Sequence, residues 1–444
     1  MSGVGSAASN PEAEIRRVAW ASAIGCTIEW YDFFLYNTFS ALVFNKLFFP
    51  SFEPLVGTML AYTTALVGFV ARPISGVVFG HFGDRIGRKK MLILTLLIMG
   101  IGTFLIGLLP TYDSIGIWAP GLLLLLRISQ GIGVGGEWGG AVLMAVEHSP
   151  NGRRGFYGSW PQLGVPAGLA LATGMVALLT SLPNDLFARG AWRIAFLLSA
   201  VLVAVGVYIR LKLLETPAFV RLQQTQSLSR VPIAELFQHH AKPVLLGMGC
   251  RYIEGVAFNI YGVFVITYLV TAVKVPRTTA LLSVTLASLV MITCIPYFGR
   301  LSDRRGRRKV FGTGALLTGL CGFPAFWLMS GSAQAPLPGV LAIVIAFGII
   351  YAAVYGPEAA LFSELFDARV RYTGISFVYQ FSGIFASGLT PIIATALLHK
   401  GAGEPWLIAG YMMIVGLISA GCTYALRETS RDDLALSSAG APAR

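Results

Sequence analysis

The sequence predicts an all-α membrane protein, twelve transmembrane helices in two six-helix pseudo-symmetric bundles. Three observations carry that prediction. The first is composition: of 444 residues 55% are hydrophobic and only 12% charged, and the mean hydropathy is +0.71. A soluble domain carries about 25% charged residues, so a surface this poor in charge needs lipid around it. The second is that apolar runs of about 20 residues, each long enough to span a bilayer, recur from end to end. The third is a charged loop motif that follows the second run and returns after the eighth.

Taken in order, the first six spans fall at about 18–46, 55–81, 91–110, 116–143, 156–180 and 191–212, and the second six at about 243–271, 279–299, 310–330, 337–360, 373–398 and 404–426. The longest polar stretch, with Glu215, Arg221, Arg230, Glu235 and Lys242, lies between the sixth and seventh spans. The expected domains are therefore 1–213, a linker at 214–242, and 243–444 including a short tail. The first 17 residues are polar with no apolar core, so no cleaved signal peptide is expected.

Orientation follows from the basic residues. If both termini are cytoplasmic, nine of the 33 Lys and Arg fall elsewhere than the cytoplasmic segments and the helix ends beside them: Lys46, Arg72, Arg127, Arg189, Arg193, Arg251, Lys274, Arg277 and Lys400. The other 24 lie inside, which fixes the topology by the positive-inside rule. The net charge of +12 is thus a matter of orientation, and nucleic acid is not expected as a partner. A cytoplasmic linker and cytoplasmic termini follow.

The halves repeat. Gly80-His-Phe-Gly-Asp84-Arg85-Ile-Gly87-Arg88-Lys89 returns as Gly299-Arg-Leu-Ser-Asp303-Arg304-Arg-Gly306-Arg307-Arg308, with the two Asp 219 positions apart. Glu147 to Arg154 after span four returns as Glu364 to Arg371 after span ten, offset by 217. A purely topogenic loop needs no Asp or Gly at fixed offsets. The expectation is that Gly80, Asp84, Arg85, Gly87, Arg88, Asp303, Arg304, Glu147, Arg154, Glu364 and Arg371 gate the carrier at a cytoplasmic seam. Glycine there allows close helix approach, and Asp accepts charge-assisted bonds from Arg or from a helix N-terminus.

These loops, with Arg127-Ile-Ser-Gln130-Gly131 in span four, resemble the major facilitator superfamily. Ile28-Glu29-Trp30-Tyr31-Asp32-Phe33-Phe34-Leu35-Tyr36, Arg72-Pro73, Gly135-Gly136-Glu137-Trp138-Gly139-Gly140-Ala141 and Glu215-Thr216-Pro217-Ala218-Phe219 resemble its metabolite:proton symporter family. That family includes carriers of shikimate, α-ketoglutarate, citrate and proline/betaine. The resemblance covers nearly the whole chain. It implies a bacterial inner membrane, the major facilitator fold, and inward transport coupled to protons.

Ionisable residues inside a membrane are costly and mark function by default. On span one, Ser22, Gly25, Glu29, Asp32, Tyr36 and Ser40 share a stripe about 80° wide, with no cation on that helix. On span four, Arg127, Gln130, Val134 and Glu137 share another, while Gly131, Gly135 and Gly139 offer a close-packing face. On span seven, Gly247, Arg251, Glu254, Phe258 and Val265 share a stripe edged by Tyr261. Glu29, Asp32, Glu137 and Glu254 face Arg72, Arg127 and Arg251, which leaves one acid without a cation and disposed to hold a proton. Asp32, Glu29 and Glu137 are the proton-coupling candidates. Arg127, Gln130, Tyr36, Arg251, Glu254 and Tyr261 are the substrate-binding candidates, with Arg127 suited to a carboxylate by its planar fork. In the empty carrier Asp32 or Glu29 is expected to hold Arg127, while Arg251 and Glu254 are also placed to neutralise each other at i,i+3. Glu358 is expected to be a residue of the cytoplasmic helix end.

The function so predicted is proton-coupled uptake of a small organic acid or related metabolite by alternating access. Proton-driven export of drugs or metabolites on the same fold is the alternative. An enzyme is not expected, since no nucleophile constellation, nucleotide-binding glycine loop or metal cluster appears and the polar loops are short. The five cysteines lie in or beside apolar runs without CxxC spacing, so neither disulfides nor metal ligands are expected. No cofactor is expected, the partners are substrate, proton and lipid, and the chain should be a monomer.

Overall fold

The computed structural model describes residues 11–39, 43–44, 47–50, 54–180 and 190–431. Ser40, Lys46 and Arg189 lie outside the described residues. Twelve long helical segments follow one another: α1 (Pro11–Phe39), α2 (Pro54–Ile86), α3 (Arg88–Leu108), α4 (Trp118–Glu147), α5 (Arg154–Thr180), α6 (Trp192–Leu211), α7 (Pro232–Thr271), α8 (Arg277–Arg305), α9 (Arg307–Ala333), α10 (Pro336–Ser363), α11 (Arg371–Lys400) and α12 (Trp406–Ala425). By length and composition, α3 to α12 are ten spans able to cross a membrane. The 29-residue α1 and 33-residue α2 complete the set. Large apolar side chains such as Ile101, Leu125, Leu171, Leu282 and Ile392 stand exposed on the outer surface, where only lipid can cover them.

The helices run further than apolar periodicity alone suggests. The first basic motif was expected as a loop after 81, but α2 continues to Ile86 and α3 begins at Arg88, so Gly80 and Asp84 are helical. The second copy behaves alike: α8 continues to Arg305 and α9 begins at Arg307. A single glycine makes each turn, Gly87 with φ 116° and Gly306 with φ 98°. That region is costly for any residue with a Cβ. Much of the expected linker is helical too. Thr216 accepts a bond from the Phe219 amide (3.3 Å) to cap a short helix at Pro217–Gln224, and α7 begins at Pro232. A break at His240 (φ −124°) precedes Pro243, whose missing N–H and ring disrupt the ladder there.

Within the first six helices, α2 and α3 pack on α4 and α1 packs on α5; among the last six, α12 packs on α7 and α9. Two seams join early helices to late ones: α2 against α11, and α5 against α8 and α10. The glycines of α4 make its contacts close. A Cβ on Gly133 would fall 2.8 Å from that of Met99 on α3, and one on Gly136 2.5 Å from that of Phe79 on α2. Three π-helical stretches interrupt the late helices, Asn259–Phe264 in α7, Val344–Ile350 in α10 and Ile384–Gly388 in α11. Such stretches recur at functional sites.

Candidate functional site

Two polar regions matter: a buried set of charges midway along the helices, and two ionic locks on the face that carries the basic motifs.

Each lock joins an early helix to a late one. In the first, Asp84 on α2 accepts bonds from the backbone N–H of Tyr372 (3.2 Å) and Thr373 (2.9 Å) and from the Thr373 hydroxyl (2.9 Å). These are free donors of the first turn of α11, where a carboxylate is favoured. Arg88 lies 3.3 Å from Asp84 and 3.7 Å from Glu147, and donates to the Ala368 carbonyl (2.9 Å). Arg371 pairs with Glu147 at 3.0 Å. Gly80 permits the approach, for a Cβ there would lie 2.7 Å from the Thr373 Cα.

The second lock repeats the first. Asp303 on α8 accepts from the N–H of Gly155 (2.7 Å) and Phe156 (2.9 Å) at the start of α5. Arg307 pairs with Asp303 at 2.8 Å and with Glu364 at 3.1 Å, and Arg154 reaches Glu364 at 3.6 Å. A third repeated element supports both. Glu215 accepts from the Arg88 and Lys89 amides and Glu428 from those of Arg307 and Arg308, each capping the helix that follows the glycine turn. Burial raises the Glu428 carboxyl pKa, but backbone bonds from Arg307, Ser430 and Arg308 outweigh it and hold the group below the usual range. Thr429 donates to Glu364 at 2.7 Å.

The locks bring together nine of the eleven expected gating residues: Gly80, Asp84, Gly87, Arg88, Glu147, Arg154, Asp303, Glu364 and Arg371. Arg85 and Arg304 are exposed and join neither lock among the described residues. Arg307 belongs with them although sequence reasoning left it out; the 219-residue offset maps it onto Arg88. Glu428-Thr429 likewise repeats Glu215-Thr216, a signal present in the sequence and missed.

Deeper in the bundle, the acids divide by partner. Glu137 on α4 is ion-paired to Arg210 of α6 and accepts from the Thr95 hydroxyl at 2.9 Å. Arg210, only 2% exposed, was counted with the cytoplasmic charges by its position near the end of span six. It occupies space that Gly25 of α1 leaves open. Cys26, Glu29 and Glu137 gather within 4.8 Å of one another, and the Arg210 guanidinium balances one of the two carboxylates there. On α7, Arg251 lies 3.4 Å from Glu254 in the i,i+3 pair the spacing suggests, and Tyr351 donates to Glu254 at 2.8 Å. The Arg251 guanidinium also sits 3.8 Å over the Tyr379 ring.

Glu29 and Asp32 are different. Both are buried. Asp32 accepts from the Ser199 hydroxyl (2.6 Å) through one oxygen, and its other oxygen has no hydrogen-bond partner; nor has Oε2 of Glu29. Neither holds Arg127. That guanidinium donates to the amide oxygens of Gln130 (3.0 Å) and Asn37 (3.4 Å) and lies 4.0 Å over the Tyr36 ring. It is 3% exposed, and its partners among the described residues are neutral. Arg72 lies 4.6 Å from the Phe33 ring centre.

Two further expectations need correction. Glu358 is fully buried within α10 rather than at a helix end, and accepts from Gln162 of α5 at 3.2 Å. Gln162 also accepts from the Trp138 indole (2.7 Å), and Trp138 stacks on Tyr379 of α11 at 3.7 Å, so these groups close the space between early and late helices above the locks. Tyr261 packs beside Phe326 of α9 in the core, with no hydrogen-bond partner for its hydroxyl.

Comparison with known proteins fits this arrangement. Residues 18–231 match the family described as "Sugar (and other) transporter", and residues 247–442 match "Major Facilitator Superfamily". The shikimate transporter of Escherichia coli K12 is 40% identical over 94% of this chain and 95% of its own. The chain belongs to the major facilitator superfamily. The inner membrane metabolite transport protein YhjE of the same organism is 39% identical over 93% of this chain and 95% of its own. Among solved structures, the proton:xylose symporter XylE bound to 6-bromo-6-deoxy-D-glucose superposes with a TM-score of 0.80 over 97% of this chain and 99% of that one, at 16% identity, which shows the shared fold. This superfamily member is thus a multi-pass metabolite transporter, not an enzyme.

Proposed function

We propose that the protein is a proton-coupled uptake carrier of a small organic acid in the bacterial inner membrane, with both termini and the basic face cytoplasmic. The observation that carries this reading is Arg127, a buried guanidinium whose partners among the described residues are all neutral. A buried cation without a counter-charge is costly, and an anionic substrate relieves that cost. Its planar fork accepts a carboxylate in bidentate fashion.

The proton then goes to Glu29 or Asp32. Glu137 and Glu254 have guanidinium partners of their own, which leaves Glu29, Asp32 and Glu358 against Arg72 and Arg127. With one acid in excess, one proton already balances the empty set, and a second on the α1 pair balances the substrate carboxylate that occupies Arg127. Glu137, tied to Arg210, serves better as a brace for α4 and α6. With the basic face inside, the latched locks describe a carrier closed to the cytoplasm, and substrate arrives from outside. Protonation and substrate binding together neutralise the midplane and lower the cost of rearranging the two halves.

Shikimate is the first substrate to test, since a relative at 40% identity is named for it. Purified carrier in vesicles with an acidic exterior should accumulate labelled shikimate or a related hydroxy acid, and dissipating the proton gradient should stop it. Arg127→Lys keeps the charge and loses the fork, so it should weaken carboxylate binding by about 1.5–3 kcal/mol, the worth of a hydrogen bond to a charged group. Unchanged binding in Arg127→Lys would move the anchor to Arg251 or show that the cargo is not an anion.

A further inference from the structure

On the basic face, away from the buried charges, lies a cavity of about 630 Å³ lined by Arg16, Arg153, Arg300 and Arg304 together with Trp20, Phe156 and Trp160. Three elements build it: the first turns of α1, the start of α5 and the last turns of α8. Its charge is not balanced locally. Arg153 pairs with Glu12 at 3.2 Å on the exposed rim. Among the described residues, Arg16, Arg300 and Arg304 form no ion pair. The one carboxylate in the wall, Asp303, is already engaged by Arg307 and the Gly155 and Phe156 amides. The aromatic wall points to a ligand that is not simply an ion. Trp20 is more than half exposed and packs edge-on against Trp160 at 4.9 Å, and the buried Trp160 indole N–H has no hydrogen-bond partner.

We propose that this cavity is a binding site for the headgroup of an anionic phospholipid. Phosphate oxygens meet Arg16, Arg300 and Arg304, the Trp160 N–H supplies a further donor, and Trp20 lies along the glycerol and upper acyl region, the depth that indole rings favour. Basic pockets between membrane helices suit such headgroups. The position also assigns a consequence. The site straddles the α5–α8 seam, beside the Asp303 lock, so a headgroup bridging Arg16 of α1 and Arg300 of α8 holds that seam together and favours the state closed on this face. This role is separate from substrate binding at Arg127 and does not depend on it.

The test uses full-length carrier in nanodiscs of phosphatidylcholine with increasing phosphatidylglycerol, reading the bound lipid that survives into native mass spectra and the melting temperature. Phosphatidylglycerol should be retained selectively and raise the melting temperature. In Arg16→Gln/Arg300→Gln retention should fall roughly thirtyfold, about tenfold or less for each arginine near an anionic surface. Lys400→Gln, outside the cavity, should leave it unchanged. A second arm adds inorganic phosphate or glycerol phosphate to protein in neutral detergent. Stabilisation by these to the same degree, lost in the double variant, would show a soluble-anion site and overturn the lipid assignment. Equal retention of phosphatidylglycerol by parent and double variant, with the variant folded by circular dichroism, would overturn the site itself.

Discussion

Replacing Asp84 with Asn keeps the shape of the first lock and removes its charge. In the parent, Asp84 accepts three bonds across the α2–α11 seam and also balances Arg88. Asn has one acceptor oxygen, and its amide must face an N–H donor at the other position. A hydrogen bond to a charged group contributes about 1.5–3 kcal/mol, so losing one and weakening the others costs the latched state about 3 kcal/mol. The second lock, at Asp303, stays intact and limits the effect. A shift of that size moves the open-to-closed ratio on the basic face by on the order of a hundredfold. Ser376 reports it, being buried and facing Gly139 across the seam. In a background with the five native cysteines replaced, Ser376→Cys should react with maleimide far faster when Asp84→Asn is present. Substrate affinity should change by only a few-fold, because the locks lie away from Arg127. Unchanged labelling in a folded Asp84→Asn protein, or a collapse of affinity, would refute the gating argument.

Three more predictions follow from the same geometry. Arg210→Met strands a buried Glu137 carboxylate and should cost about 3–5 kcal/mol, seen as a lower melting temperature that Glu137→Gln in the same chain largely restores. Gly87→Ala and Gly306→Ala should each destabilise by about 1–3 kcal/mol, since both backbones hold positive φ, and thermal unfolding against a Gly421→Ala control measures it. The Glu428 carboxyl is held below its unfolded value of about 4.3, so its stabilising contribution is fully present above that pH and is lost as pH falls through the folded value. Between pH 5 and acid the parent should lose melting temperature more steeply than Glu428→Gln, and parallel profiles would rule the cap out as a source of pH dependence.

The fold was legible because lipid forces the sequence to declare itself. Apolar length and the positive charge of short loops are strong signals, and the paired motifs gave the duplication. Helix ends near the motifs were not legible. Asp84 and Arg88 look like loop residues to a hydropathy scan, yet α2 runs past Asp84 to Ile86, the positive-φ Gly87 stops it, and Arg88 opens α3 and pairs back to Asp84 across the turn. The acidic stripe of α1 and the Arg251–Glu254 pair could be read from helical spacing. Partners far apart in the chain could not. Nothing near Arg210 in the sequence points to Glu137, and nothing near Ser199 points to Asp32. Glu358 looked terminal because span ten appeared to end near 360, whereas its helix continues to Ser363 and packs against α5.

In the proposed cycle a proton on the α1 carboxylates accompanies an anion at Arg127. Two assays on the same vesicles test it most directly: substrate accumulation driven by an imposed proton gradient, and exchange of labelled for unlabelled substrate with no gradient. Asp32→Asn or Glu29→Gln, whichever removes the coupling group, should abolish accumulation and preserve exchange, since exchange moves no net proton. If both variants still accumulate substrate against its gradient as the parent does, the coupling proton is not carried on α1 and the account fails.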